Sequence, residues 1–426
     1  MTGLEDIARR VEQFSTVARI ASRTLLSLDT NPVPADWTHI TKIDPEDEKK
    51  LPLLYPLYLQ HTSALEVGGS RDVTDQNTAE TLDLVADRPV PAFQEPSGPR
   101  QVTDDTRSKA EFLAIPEVLN GDVDALIGEL GRGVEYMQRE MAPEMIAEKF
   151  PISPGETIEK RLSAFAASWM LQEAVFEAYI IMNLDSAAAR ESNVTEEDLL
   201  DPKTAKQRAM AAERHLGSEL VYLEYSGTFG GEEAEAILEA VDDGLEWSRL
   251  WYGGGLDDRD NARAVLDAGA DAVVVGNVFH EIADEEIEIC EQAAEELDAD
   301  VTRDETLAWI DENVDLAESS ATKYLSTIID ISNPEGRARD YLITTIRTWL
   351  AVQEVLADLD EEEVTTVADL RRAFRSADIP GRSDVMAVLD DEGSFFLELL
   401  VSMAAPRYDL DAGDLPVKHV NLDLDR

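Results

Sequence analysis

Eight short apolar runs, each followed by a stretch of helical character or a loop, leave this chain few ways to fold. They are Thr38 to Ile43, Ala64 to Val67, Val90 to Gln94, Phe112 to Ile115, Ala178 to Asn183, Val221 to Tyr225, Arg249 to Tyr252 and Ala272 to Gly276. Buried strands interleaved with helices build a parallel sheet, because parallel neighbours need a long crossover rather than a hairpin. Eight such units predict an α/β fold, a TIM (β/α)8 barrel, in which chemistry sits at the C-terminal ends of the strands.

The connections are uneven. Between the third and fourth runs lie only Glu95-Pro96-Ser97-Gly98-Pro99-Arg100 and a polar stretch, too short and proline-rich for a full amphipathic helix. Before the fifth run the chain carries an oversized connection, an insertion at about 137–176, broken at Pro151-Ile152-Ser153-Pro154-Gly155 and followed by an apolar helix around Leu162 to Val175. Ahead of the barrel, Leu4, Ile7, Val11, Phe14, Ala18, Ala21 and Leu25 recur at helical spacing, on a segment where Arg9, Arg10, Arg19 and Arg23 outnumber the acids. That helix either packs on the rest of the chain or touches a membrane surface transiently. Past the eighth helix, near Asp298, more helices follow: Leu342, Ile346, Trp349 and Leu356 share a face, Thr366 with Asp369 forms an N-cap, and Phe395 to Met403 is apolar. The expected division is 1–36 for the N-terminal helix, 37–298 for the barrel and 299–426 for a helical C-terminal domain without chemical motifs.

Charge narrows the partners. Acidic residues number 89 against 37 basic, a formal net charge of −52, which works against nucleic acid and anionic membranes. With 44% hydrophobic residues in periodic patterns the chain is not disordered. Such acidity suits a concentrated-salt cytosol, where the Debye length falls to about 3 Å at 1 M and self-repulsion is screened. The single cysteine, Cys290, rules out an intramolecular disulfide, and the five scattered histidines have no zinc spacing. The first residues lack the plan of a secretory signal and no run reaches the ~20 apolar residues of a membrane span, so the expected location is the cytoplasm.

The chemistry-bearing residues cluster at the predicted strand ends. Tyr222-Leu223-Glu224-Tyr225-Ser226-Gly227 runs from a buried strand into a glycine loop, placing a carboxylate where a barrel enzyme presents a general base. Alternation puts Lys42 and Asp44 on one face of the first strand. Gly68-Gly69-Ser70, Gly253-Gly254-Gly255 and Gly276-Asn277 close three other runs, and the loops after strands seven and eight are where barrels commonly bind phosphate.

In this order the motifs resemble the geranylgeranylglyceryl phosphate synthase family, whose bacterial relatives make heptaprenylglyceryl phosphate; the resemblance runs from about Trp37 to Glu285. It implies a prenyltransferase that joins sn-glycerol 1-phosphate to a long prenyl diphosphate, of the geranylgeranyl diphosphate kind, through an ether bond in archaeal membrane lipid synthesis. By the same resemblance Lys42, Tyr222, Leu223, Glu224, Tyr225, Ser226, Gly227, Gly255, Gly276 and Asn277 bind the glycerol phosphate. Glu224 is then the catalytic base, Asp44 and Ser70 hold Mg2+, the third barrel helix is modified, and Gly131 and Gly133 border the prenyl tunnel. Leu184 departs from the proline often found there in relatives. Self-association and transient membrane contact for product release are compatible with this reading. Bland alternatives stand beside it: Glu224 as a buried partner of Lys42, Ser70 as a helix cap, Gly253 and Gly254 as turn glycines. The rival function is a non-catalytic barrel paralogue that binds a prenyl or phosphorylated ligand and acts through its C-terminal helices. An isomerase or aldolase barrel would lack the Tyr222 to Gly227 run.

Overall fold

The computed structural model describes residues 21–26, 28–46, 51–69, 73–86, 89–149, 155–360, 364–389 and 394–410. Eight strands form one sheet: β1 His39–Ile43, β2 Ala64–Gly68, β3 Ala92–Glu95, β4 Ala114–Val118, β5 Val175–Ile181, β6 Leu220–Glu224, β7 Arg249–Gly253 and β8 Ala272–Val275. Their order is β3-β2-β1-β8-β7-β6-β5-β4, with every ladder parallel, which is a TIM barrel nearly closed on itself.

The seam lies between β3 and β4. There the Glu111 N–H donates to Ala92 O at 2.8 Å, the Gln94 N–H to Phe112 O at 3.2 Å, and a single bridge joins Gln94 to Leu113. This explains Pro116, which the sequence reading placed after the fourth strand but which lies inside β4. Leu113 and Leu119 exchange the bonds with β5, so the even-numbered Pro116 turns its missing N–H toward the seam, where no ladder needs it. The connection across the seam holds one turn at Pro99–Gln101 and a six-residue helix, Asp104–Lys109, capped by Thr103; the third helix is shortened as expected.

Inside, an aromatic plug fills the N-terminal end of the barrel. Trp37 stacks on Phe93 and Phe112 at 6.0 Å each, and Val33, Ile40, Ala64, Ala114, Leu220 and Trp251 complete the layer. Outside, the hydrophobic layer is shared. Among the described residues the first βα connection carries only the five-residue helix Tyr55–Leu59, and the C-terminal helices Ser320–Thr327 and Pro334–Asp360 cover that flank. Thr41 on the outer face of β1 hydrogen-bonds the Tyr324 hydroxyl at 2.8 Å, and His39 meets Thr327 at 3.0 Å. One continuous core therefore runs from Ile43 and Leu65 through Tyr58 and Phe279 to Tyr324, Ile346 and Phe396.

The long connection between β4 and β5, where the insertion is expected, carries more helix than the bounds 137–176 enclose. Helical structure runs from Asp124 to Lys149, with π-turns at Asp124–Gly128 and Met137–Met141, and resumes as the helix Glu156–Glu173. It ends sooner than expected because Val175 to Glu177 already belong to β5. Residues 1–20 of the expected N-terminal helix lie outside the described residues. From Ala21 onward the segment is tied to the bottom of the barrel: Arg23 pairs with Glu219 at 2.9 Å, and Asn31 donates to the carbonyls of Glu219 and Trp247. The Thr366–Asp369 capping box opens the helix Val367–Ser376. Among the described residues no helix is long and apolar enough to cross a membrane.

Candidate active site

A cavity of 730 Å³ opens at the C-terminal ends of the strands. Lys42, Asp44, Tyr222, Glu224, Ser226, Gly227, Gly255, Gly276 and Asn277 line it. Leu223 and Tyr225 do not. Strand alternation that turns Tyr222 and Glu224 inward sends Leu223 outward into the helix-facing core, and Tyr225 packs there too, its hydroxyl 3.3 Å from Glu233. Ser70 lies outside the described residues; the cap of the helix Asp75–Leu84 is Thr74, whose hydroxyl accepts the Asn77 N–H.

Glu224 ends β6 and is 3% exposed. One oxygen accepts the Ser226 N–H at 3.3 Å, while the other, Oε2, has no hydrogen-bond partner among the described residues. Burial raises its pKa above the ordinary carboxylate value, against the pull of Ser226 and Lys42. A carboxylate with one anchored and one unsatisfied oxygen, facing a cavity, is arranged to accept a proton.

Lys42 is engaged elsewhere. Its ammonium lies 2.5 Å from Glu66 Oε1 and 2.6 Å from Glu95 Oε2, so the alternative in which Glu224 serves as its structural partner is not the arrangement observed. Glu95 sits at the inner end of β3 and also accepts a hydrogen bond from the Tyr179 hydroxyl. It reaches Lys42 across β2 because Gly68 lies between them: a Cβ there would stand 2.7 Å from Glu95 Cβ. Burial holds Lys42 down, but Glu66 and Glu95 more than reverse this and leave it well above its ordinary value. For Glu66 burial wins, raising its pKa to about 8, and the neighbouring Glu177 is raised further by burial and by Glu95 and Glu66. Glu95 stays below its ordinary value, since its burial is outweighed by the charge of Lys42 and by hydrogen bonds with Glu66, Lys42 and Tyr179. Lys42 and Glu95 are thus held toward their charged forms in this buried layer, while Glu66 and Glu177 are pushed toward their neutral ones. The layer does not repel an anion as three ionised glutamates would.

Tyr222 stacks on Tyr179 at 4.6 Å and lays its hydroxyl across β7. There Gly253 is required for packing rather than for a turn, since an added Cβ would stand 1.8 Å from Tyr222 Oη. Gly253→Ala is expected to cost roughly 1–3 kcal/mol of stability and to displace Tyr222. Gly131→Ala, whose methyl meets nothing within 4 Å, is the control and is expected to be neutral or to gain up to about 1 kcal/mol. Denaturant titrations of the two variants check the pair, and equal midpoints would remove the packing argument.

On the rim, Asp44 follows β1 with His280 Nδ1 3.6 Å from its carboxylate, and Asn183 ties the Ser226 loop down through a 2.5 Å bond to its carbonyl. The helix Asn277–Glu296 begins at the cavity wall, offering its N-terminal dipole. From this polar end the cavity continues along an apolar arm past the β3–β4 seam. Leu113 and Ile115 line it from the β4 side, and Leu130, Met137, Met141 and Met170 line it from the insertion. Gly133 borders the arm, with Pro99 and Met137 only at van der Waals distance from an added Cβ; Gly131 does not line it.

Sequence reasoning missed Glu66, Glu95, Tyr179 and Glu177. Period-two alternation from Lys42 and Tyr222 could have flagged Glu66 and Tyr179 once register was known, but Glu95 was read as the first loop residue.

The model of the PcrB family matches residues 34–294. Geranylgeranylglyceryl phosphate synthase of Halobacterium salinarum is 32% identical over 249 residues, which span 58% of this chain and 89% of that protein. The protein of the same name from Natronomonas pharaonis is 31% identical over 252 residues, 58% of this chain and 90% of that one. The structure of (S)-3-O-geranylgeranylglyceryl phosphate synthase from Thermoplasma acidophilum in complex with sn-glycerol-1-phosphate aligns at 20% identity and a TM-score of 0.41, covering 57% of this chain and 86% of that one.

Proposed function

The chain belongs to the PcrB family, and from that premise we propose that it is a prenyltransferase joining sn-glycerol 1-phosphate to a long prenyl diphosphate, most simply geranylgeranyl diphosphate, through an ether bond. The observation that carries the reading is one cavity that unites a carboxylate with an unsatisfied oxygen, a glycine-bearing rim at a helix N-terminus, and a long apolar arm. An acceptor hydroxyl, an anionic head and a hydrocarbon tail each find their own surroundings. The two relatives bearing the synthase name support the same substrate pair.

In this mechanism the phosphate of the acceptor lies against the rim formed by Ser226, Gly227, Gly255, Gly276 and Asn277. Glu224 takes the proton of the free hydroxyl as that oxygen attacks C1 of the prenyl diphosphate. The new C–O bond forms while the C1–O bond to diphosphate breaks, the diphosphate leaves with that electron pair, and the proton remains on Glu224. Lys42, oriented by Glu66 and Glu95, lines the cavity and holds a positive charge beside the anion. Tyr222, locked over Gly253, orients the acceptor.

The chemistry of the rim suits magnesium. Asp44, with Glu46 also on the wall, offers hard oxygen donors, and a magnesium ion that keeps several waters needs only one or two carboxylates beside substrate phosphates. When bound, the ion would neutralise the departing diphosphate. Asp44→Asn is expected to raise the magnesium requirement by about tenfold or more and to weaken prenyl diphosphate more than glycerol phosphate. Titrations of metal and of each substrate check this, and equal weakening of both substrates would mark Asp44 as structural.

The direct test is the purified protein in high salt with magnesium, glycerol 1-phosphate and geranylgeranyl diphosphate. Formation of the ether is expected; tight ligand binding without product would point instead to the non-catalytic paralogue.

A further inference from the structure

We propose that Arg107 ends the apolar arm and so sets the longest hydrocarbon chain the site accepts, an inference that rests on the reading of the arm as a prenyl site. The polar end of the cavity lies at the C-terminal ends of the strands, with Glu224 the last residue of β6 and Glu95 the last of β3. Its opposite end lies at the start of the strands, because Leu113 directly precedes β4 and Ala174 directly precedes β5, and both line it. The five residues of β4 between those levels span about 17 Å at the ~3.3 Å rise of a parallel strand.

Arg107 lines that cavity from the short helix Asp104–Lys109. Its guanidinium reaches across to the insertion: Nη1 lies 3.7 Å from the Met170 sulfur and 3.5 Å from Asp104 Oδ1, and Nη2 lies 3.8 Å from Glu173 Oε2. Met170 and Glu173 occupy the last turn of the helix Glu156–Glu173, which runs into β5 at the bottom of the barrel. The bridge therefore joins the shortened third helix to the insertion at the level where the arm finishes. The Arg107 side chain is 20% exposed, so its charge is only partly hydrated. A hydrocarbon chain pushed beyond Met170 must separate the guanidinium from its carboxylates or bury it against methylenes, and either is unfavourable. A shorter chain ends against Met137, Met141 and Met170, whose flexible thioethers adapt to it. Chain-length selection thus resides in a residue outside every motif of the rim, on a segment whose brevity the sequence showed but whose position only the fold reveals.

The test compares wild type, Arg107→Ala and Arg107→Lys with farnesyl, geranylgeranyl, farnesylgeranyl and heptaprenyl diphosphates. Two readouts run in parallel: kcat/KM for each donor with glycerol 1-phosphate, and equilibrium binding of each donor alone. Arg107→Ala is expected to raise the ratio of longer to shorter donors by about tenfold or more in both, since one methylene in an apolar pocket can discriminate by that factor. Arg107→Lys, which keeps the charge, is expected to retain the wild-type cut-off. A general loss of affinity with unchanged ratios would make Arg107 merely structural and overturn the proposal, as would binding of no prenyl diphosphate by wild type. Binding that shows the predicted shift in the absence of turnover would sustain the proposal while removing the transferase reading.

Discussion

Replacing Glu224 by glutamine is expected to lower kcat by about 10² to 10⁴ while leaving the melting temperature close to that of the wild type. The substitution keeps the shape and the Ser226 contact but leaves no base to take the acceptor proton. The pH dependence supplies an independent check. Burial raises the pKa of Glu224, and the ionised form is the active one. Activity should therefore rise with pH through a midpoint above the ordinary glutamate value of about 4.3, not fall. The acid limb should vanish from the residual activity of the variant. Unchanged turnover would exclude Glu224 as the base and turn attention to the Glu95–Tyr179 pair, another carboxylate contact on the cavity wall.

Cutting the chain after Asp298 is expected to abolish soluble expression rather than release an active barrel. The cut removes Tyr324, whose ring packs against Tyr58 at 6.2 Å and Phe279 at 5.1 Å, and Tyr341, which meets Tyr58 at 5.0 Å. It also strips Phe395 from Tyr55 and Thr327 from the buried His39. Each such large apolar side chain is worth about 1.5–3 kcal/mol when buried, and the loss of several is comparable to the 5–15 kcal/mol by which a domain is usually stable. The barrel left behind would expose the outer face of β1 and the short helix Tyr55–Leu59, which Tyr324 and Tyr341 cover in the whole chain. Expression and light scattering of the truncated chain in high salt decide the matter. A soluble, active product with an unchanged melting temperature would instead establish 299–426 as a separate domain.

Several features of the molecule are legible in its sequence. The eight runs correspond to eight parallel strands, because burial on both faces demands continuous apolar stretches and helical crossovers carry a different period. The same period of two brought Lys42 and Asp44 to one face and put Tyr222 and Glu224 on the cavity wall. Proline and glycine between Glu95 and Arg100 marked the shortened third connection, since they oppose the interior of a helix. These are properties of short stretches of chain.

What the sequence could not supply depends on residues far apart. Leu223 and Tyr225 share the motif with Glu224, yet alternation and loop packing turn them away from the cavity. Lys42 carries the mark of a phosphate ligand, but whether it is free depends on register: it stands opposite Glu66 on β2, and Gly68 lets Glu95 of β3 reach it. Glu95 looked like a loop residue because prolines follow it, and only pairing with Gly68 makes it the end of a strand. The C-terminal helices bear no motif, and their place against β1 is set by Tyr324 and Thr41, 283 positions apart. Local pattern determines which elements form and which way each side chain faces. Closing the barrel, and with it the register across the strands, decides which charges meet.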